Sequence, residues 1–169
     1  YLDKTTSAIL PGFGFISELR GFNFFGGVHR GFTPPSSGAL KILNFGDNVS
    51  DGGLDPKAEK SWNKEIGIRG NVSFIQFEYS GYHVAIEDLV AAGRGTAFKN
   101  LGKASTMGVE TKTIFNFSDL NKLLPNIDVS YSFLKTEVIE GEIISNVAGS
   151  VGNQIDISGK ELPYAPSHT

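Results

Sequence analysis

The chain has 169 residues, a formal net charge of −3 and 40% hydrophobic residues. That balance offers no basic stripe for nucleic acid, and the absence of cysteine removes disulfide and thiolate chemistry. No run of about 18 apolar residues is present to make a transmembrane helix. The mean hydropathy of −0.09 suits a soluble domain and a membrane β-barrel equally, since half of each barrel strand faces a polar lumen.

Taken in order, the chain reads as β-strands separated by connections of two lengths. It begins at Tyr1 without a signal-peptide pattern, which marks it as an internal piece of something longer. Ile9 to Leu19 forms a first strand, with Pro11 and Gly12 near its start. Arg20-Gly21-Phe22-Asn23 makes a short turn, and Phe24 to Thr33 a second strand. Pro34 to Lys57 is rich in Pro, Gly, Ser, Asp and Asn and reads as a loop.

Glu59 to His83 is the most regular stretch. Trp62, Ile66 and Ile68 alternate with Asn63, Glu65 and Arg69; Ile75, Phe77 and Tyr79 alternate with Gln76, Glu78 and Ser80. This period of two predicts two long strands with one apolar and one polar face. Arg69-Gly70-Asn71 is the expected turn between them, with Gly70 or Asn71 at positive φ. Each arm can run about ten residues, the length a tilted strand needs to cross a bilayer.

Glu87 to Gly102 reads as irregular. Lys103 to Phe117 is the next strand, with Met107, Val109, Phe115 and Phe117 on one face and Gly108, Glu110, Lys112 and Asn116 on the other. SDLNKLLPN connects it to a strand from Ile127 to about Glu140. There Ile127, Val129, Tyr131 and Phe133 oppose Asp128, Ser130 and Ser132. A third polar loop, Gly141 to Leu162, leads to PYAPSHT, where His168 restarts a strand.

The connections therefore alternate short and long. Outer-membrane barrels pair short periplasmic turns with long extracellular loops, whereas a sandwich has no reason to. The fold class expected is all-β, an antiparallel transmembrane β-barrel segment. Its about six strands are fewer than the roughly eight that closure needs, so its edges must pair with strands outside it.

Four motifs then fall in order: GGVHRGFTPP (Gly26 to Pro35), LDPKAEKSWNKEIGIRG (Leu54 to Gly70), NLGKASTMGVE (Asn100 to Glu110) and ELPYAPSHT (Glu161 to Thr169). Together they resemble the barrel of TonB-dependent outer-membrane receptors, the ferric dicitrate and siderophore transport type in particular. The resemblance covers nearly the whole chain. It implies that residues 1–169 are part of the C-terminal barrel domain, a wall segment of a barrel of about 22 strands. The plug domain, the TonB box and the last strands lie elsewhere. It also implies a bacterial outer-membrane location, and uptake of ferric citrate or another ferric siderophore with energy supplied by TonB. The expected partners are that chelate, the TonB complex through the plug and TonB box, and outer-membrane lipid with lipopolysaccharide; nucleic acid is not among them. No cofactor is implied beyond the transported ferric chelate. At Lys64 the family pattern often has an apolar residue, so this lysine should stand near a membrane rim, where it can snorkel.

Candidate site residues are sparse. His29, His83 and His168 are far apart and show no metal-ligand spacing. His29 alternates to the side opposite Val28, the expected lumen, as a ligand candidate. Arg30, Arg94 and Lys99 are the cations nearest the predicted loops and could meet an anionic chelate, guanidinium binding carboxylate in bidentate fashion. Solvated loop charges, or pairs with lipopolysaccharide phosphate, are the plainer reading. Glu65, Arg69, Glu78 and Glu110 are expected to line the lumen. DNVSDGGLD (Asp47 to Asp55) does not fit the calcium-loop spacing and reads as turn composition. Gly102-Lys103-Ala104 fails as a phosphate loop, because Ala97 stands where glycine is required and Ala104 where Ser or Thr would hold magnesium. No constellation meets the requirements of an active site, so the expected role is transport, not catalysis. Two alternatives stay open. One is another outer-membrane barrel without a plug, such as a porin or an adhesin. The other is a soluble β-sandwich binding module, whose apolar faces would meet in one core.

Overall fold

The computed structural model describes residues 7–34, 57–91, 99–144, 154–162 and 165–169. These form one antiparallel sheet in chain order: β1 (Gly12–Leu19), β2 (Phe22–Thr33), β3 (Glu59–Val72), β4 (Ile75–Ala91), β5 (Lys99–Phe115), β6 (Ile127–Ile144) and β7 (Gln154–Asp156). A single 3-10 turn at Phe117–Asp119 lies between β5 and β6. Every strand pairs with its neighbour in sequence. This is the up-and-down order of a barrel wall, without the crossings of a sandwich.

Cross-strand partners share a face, so the register sorts the side chains. One face carries, row by row, Val72 with Ile75, Phe115 and Ile127; then Gly70, Phe77, Thr113 and Val129; Ile68, Tyr79, Thr111 and Tyr131; Ile66, Gly81, Val109 and Phe133; and last Lys64, His83, Met107 and Lys135. Phe13, Phe15, Phe22, Phe24 and Val28 extend it across β1 and β2. The other face carries Asn63, Glu65, Arg69, Glu78, Ser80, Glu110, Lys112, Asp128, Ser130 and Ser132.

Among the described residues no second layer packs against the apolar face. Phe13 is 70% exposed and Ile66 67%; Val72, Met107, Val109, Ile127 and Val129 are exposed as well. Among the described residues the buried hydrophobic side chains are only Ala58, Ala104 and Val138. The accessible surface of 12118 Å² is about half as large again as the roughly 8,100 Å² expected of a compact monomer of 18.2 kDa. A soluble sandwich would seal these faces together, and the sheet does not.

The eight residue steps from Val72 to Lys64 span about 27 Å along β3 at roughly 3.4 Å per residue. At a tilt of about 40° they cover about 21 Å of bilayer normal, close to the apolar band of roughly 25 Å on outer-membrane barrels. Lys64 stands at the upper edge of that band, in one row with His83 and Lys135. The lower edge is aromatic. Phe22 meets Phe77 at 6.0 Å, Phe74 meets Phe117 at 5.4 Å, and Phe115 stacks on Phe117 at 5.8 Å.

The turns differ from the sequence expectation. Gly70 and Asn71 stay in the ladder opposite Phe77 and Gln76, and the chain reverses at Ser73 and Phe74, with Ser73 at φ 54°. Phe22 lies across Gly70 and would collide with a side chain there, so this glycine serves packing on the strand, not the turn. The Phe74 carbonyl also accepts a 2.7 Å hydrogen bond from the Asn116 amide, tying the turn to the next hairpin. The first turn is likewise only Arg20 and Gly21, both at positive φ, so β2 starts at Phe22.

Above the band the strands run on where irregular chain was expected. β4 continues to Ala91 and β5 begins at Lys99, with register shifts between Glu87 and Val90 and with Asp88 at φ 57°. β6 continues to Ile144, and β7 returns beside it. Bulges hold the ladder together while the alternation of residue types breaks down. The chain then descends along β6: Leu134 N–H donates to Ser167 O at 2.9 Å, Ser132 and Thr169 exchange backbone bonds, and His168 bridges Phe133.

Candidate functional site

The wet face is the surface with chemistry on it. Arg69, Glu78 and Lys112 are successive cross-strand partners, a row of alternating charge across β3, β4 and β5. Lys112 closes it with an ion pair to Asp128 on β6, 3.4 Å between Nζ and Oδ2. Asn23, Asn71 and Gln76 join Arg69, Glu78 and Lys112 around a recess of about 350 Å³ near the short-turn end. A second recess, of about 420 Å³, adjoins Glu78, Ser80, Glu110, Lys112, Ser130 and Ser132. The four expected lumen residues, Glu65, Arg69, Glu78 and Glu110, thus share one face.

Aromatic rings cover glycines to shape that wall. Phe25 covers Gly67, and Arg69 stands over the Phe25 ring at 5.8 Å. Tyr82 covers Gly108. Each glycine is required because a Cβ would enter the ring. The sheet therefore presents hydrogen-bond donors, acceptors and charges on a surface shaped by rings and recesses. Among the described residues no three His, Asp or Glu side chains converge as a metal site would require.

The sequence-predicted ligand residues are not brought together. His29 is on the wet face, exposed and opposite Asn63. Arg30, its neighbour, is on the apolar face above the band. Its guanidinium donates to Glu87 Oε2 at 2.8 Å and lies 5.1 Å over the Trp62 ring. Lys99 opens β5 opposite Ala91, at the upper end of the wall and three strands from β2. Arg94 and the DNVSDGGLD stretch lie outside the described residues. Sequence reasoning missed Glu87 as the partner of Arg30, because that stretch reads as irregular. Two aromatic belts near the strand ends would favour a membrane wall over a sandwich, and Trp62, Tyr79, Tyr82 and Tyr131 do not form them. Only Trp62 stands at a rim. Tyr82 is on the wet face, and Tyr79 and Tyr131 sit inside the band. Their hydroxyls are satisfied there by Thr113 Oγ1 at 3.0 Å and His168 Nδ1 at 2.8 Å, which removes most of the cost of that position.

A family model described as "TonB dependent receptor-like, beta-barrel" matches residues 1–169. The vitamin B12 transporter BtuB of Vibrio vulnificus (strain YJ016) is 27% identical over 155 residues, which is 78% of this chain and 25% of the transporter. The crystal structure of the ferric yersiniabactin uptake receptor FyuA from Yersinia pestis superposes with a TM-score of 0.51 at 20% identity, covering 81% of this chain and 23% of that receptor. The chain thus spans about a quarter of the length of each relative.

Proposed function

Because this chain belongs to the TonB-dependent receptor β-barrel family, we propose that it is wall from the C-terminal barrel domain of an outer-membrane receptor that takes up a ferric chelate, ferric citrate or another siderophore, with energy supplied by TonB. The observation that carries the reading is the two-faced sheet. Its exposed apolar side fits hydrocarbon, and its charged side, with open recesses, fits a wet interior. The end bearing the long connection between Thr33 and Glu59 faces outside, and the turns at Arg20-Gly21 and Ser73-Phe74 face the periplasm. On this reading a plug domain elsewhere in the parent protein sits against the row of Arg69, Glu78 and Lys112 and reaches TonB.

His29 is the ligand candidate that geometry supports best, being exposed on the wet side near the outer mouth. Lys99 remains a candidate at the loop end, and Arg94, outside the described residues, remains one on its sequence alone. Arg30 faces outward and is engaged by Glu87. The two relatives are named for different cargoes, vitamin B12 and ferric yersiniabactin, so cargo class needs its own test. The parent receptor is fractionated first, and recovery in the soluble fraction without detergent refutes the membrane reading. Isothermal titration with ferric citrate, other ferric siderophores and a cobalamin then separates the cargoes. Saturable binding of cobalamin alone would replace the chelate.

A further inference from the structure

From the upper edge of the apolar band onward the two faces exchange character, although water reaches both. Three inward rows climb toward the outer mouth: Glu65, Tyr82, Gly108 and Leu134; then Asn63, Val84, Thr106 and Thr136; then Ser61, Ile86, Ala104 and Val138. His29 extends the middle row onto β2. Val84, Ile86 and Leu134 are half-buried beside the Tyr82 ring, and Ala104 and Val138 are buried. The inner wall at this height is therefore an aliphatic patch edged by hydroxyl and amide groups. The outward rows carry the charge instead: Lys60, Glu87, Lys103 and Glu140 form one of them.

Among the described residues, no lysine or arginine stands in the three inward rows. Arg30, Lys60, Lys64, Lys103 and Lys135 all fall in outward rows. Two of them are engaged there, Arg30 by Glu87 at 2.8 Å and Lys103 by Glu140 at 2.9 Å. Two carboxylates adjoin the aliphatic patch, Glu65 in its lowest row and Glu110 one inward row below. An anionic chelate seated here would shed water and meet like charge, with no cation to offset either cost. An uncharged chelate with an alkyl arm would bury that arm against Val84, Ile86 and Leu134. His29, Asn63 and Thr106 then offer the few polar contacts that orient a ligand on an apolar surface.

We propose that this part of the lumen wall selects cargo by charge and polarity: the chelate it accepts is uncharged or cationic and carries an alkyl arm, which seats on Val84, Ile86 and Leu134. Ferric citrate, a polycarboxylate, is the disfavoured case. Lys99 lies above these rows, opposite Ala91, and does not face the seat. The inference rests on the receptor reading above and narrows its cargo.

The test titrates the full-length parent receptor in mild detergent with three probes: an uncharged ferric trihydroxamate bearing a short alkyl arm, the same chelate without the arm, and ferric citrate. The wild type should bind the alkylated chelate about tenfold more tightly than either of the others. Val84→Thr/Ile86→Thr keeps the shape of both side chains and should erase the advantage of the arm. Val84→Lys supplies the missing cation and should raise the affinity for ferric citrate about fivefold while weakening the alkylated chelate. Each variant is read as a ratio of affinities on one preparation, so a loss of folded receptor cancels. Ferric citrate bound as tightly as the alkylated chelate by the wild type overturns the proposal, as does a ratio that neither variant moves. A parent that binds none of the three overturns the ferric-uptake reading itself, whereas one that binds them with the opposite preference overturns only the selection by this wall.

Discussion

Ile68 lies four residues from Val72 and four from Lys64, so it marks the middle of the apolar band on β3. With about 3.4 Å per residue and a tilt of about 40°, it stands about 10 Å from either edge. An arginine at that depth cannot bring its guanidinium fully to water. Ile68→Arg is expected to cost about 2–4 kcal/mol, lowering the folded-to-unfolded ratio by about 30- to 900-fold. Ser80→Arg places the same side chain one register row away on the opposite, wet face and should cost no more than about 1 kcal/mol. Lys64→Arg, at the rim, should fall within about 1 kcal/mol of wild type. The assay is equilibrium unfolding by guanidinium of the parent receptor in lipid vesicles, with folding read from heat-dependent gel mobility. If Ser80→Arg proves as costly as Ile68→Arg, the two faces have been assigned the wrong way round.

Other outcomes follow from local geometry. Gly102 holds φ 122° in the β5–β6 ladder opposite Gly141, where a Cβ would strike the Glu140 carbonyl. Gly102→Ala should cost about 1–3 kcal/mol and raise protease cleavage of the upper wall on intact cells, and wild-type resistance would contradict this. Arg30→Lys keeps the charge but loses the planar stack over Trp62 and should cost about 1 kcal/mol in thermal unfolding, given that Glu87 is half exposed; a neutral result would show that the stack does not contribute. Asp156 accepts hydrogen bonds from the Ser158 hydroxyl at 2.6 Å and the Ser158 amide at 2.8 Å, and these hold its carboxyl below its ordinary value of 3.8, the hydroxyl bond contributing most. A lowered folded pKa contributes stability that is present above the unfolded value and lost as pH falls through the folded one. Hydrogen-exchange protection of residues 157–160 should therefore hold from neutral pH to about pH 4 and fall below it, while Asp156→Ala should lose it at neutral pH; full protection in that variant would refute the account.

The outward face was legible in the sequence because a single rule specifies it. Hydrocarbon rejects polar groups, so Ile66, Ile68, Phe77, Val109 and Val129 recur at every second position whatever their neighbours. The turns were less legible because two demands compete for glycine. Gly70 looked like a turn residue, but Phe22 needs the empty space above it, and Ser73 accepted the positive φ instead. The upper strands were hidden for a related reason. Above the band both faces are wet, the alternation that marks a strand disappears, and backbone pairing with bulges continues without it. Arg30 shows the consequence. Its distance from Glu87 in sequence is 57 residues, and only the register of β2, β3 and β4 puts the two side chains together.

The inward face obeys no such general rule. Lys112 and Asp128 form an ion pair, Arg69 and Glu78 are cross-strand neighbours beside them, and Glu65 and Glu110 stand on the same surface. Charges inside a membrane-spanning wall persist only when paired or wet, so this face must meet either water or another polar surface of matching pattern. An empty pore asks only for solubility of its lining. A filled one asks for complementarity, residue against residue, which one strand-pair rhythm cannot encode. The recesses beside Arg69 and Glu110 and the rings covering Gly67 and Gly108 give this wall a definite relief. That relief is what a seated partner domain would require and what a passive channel would not. The outside of the wall can therefore be read from its own residues, while the meaning of the inside depends on the surface that covers it.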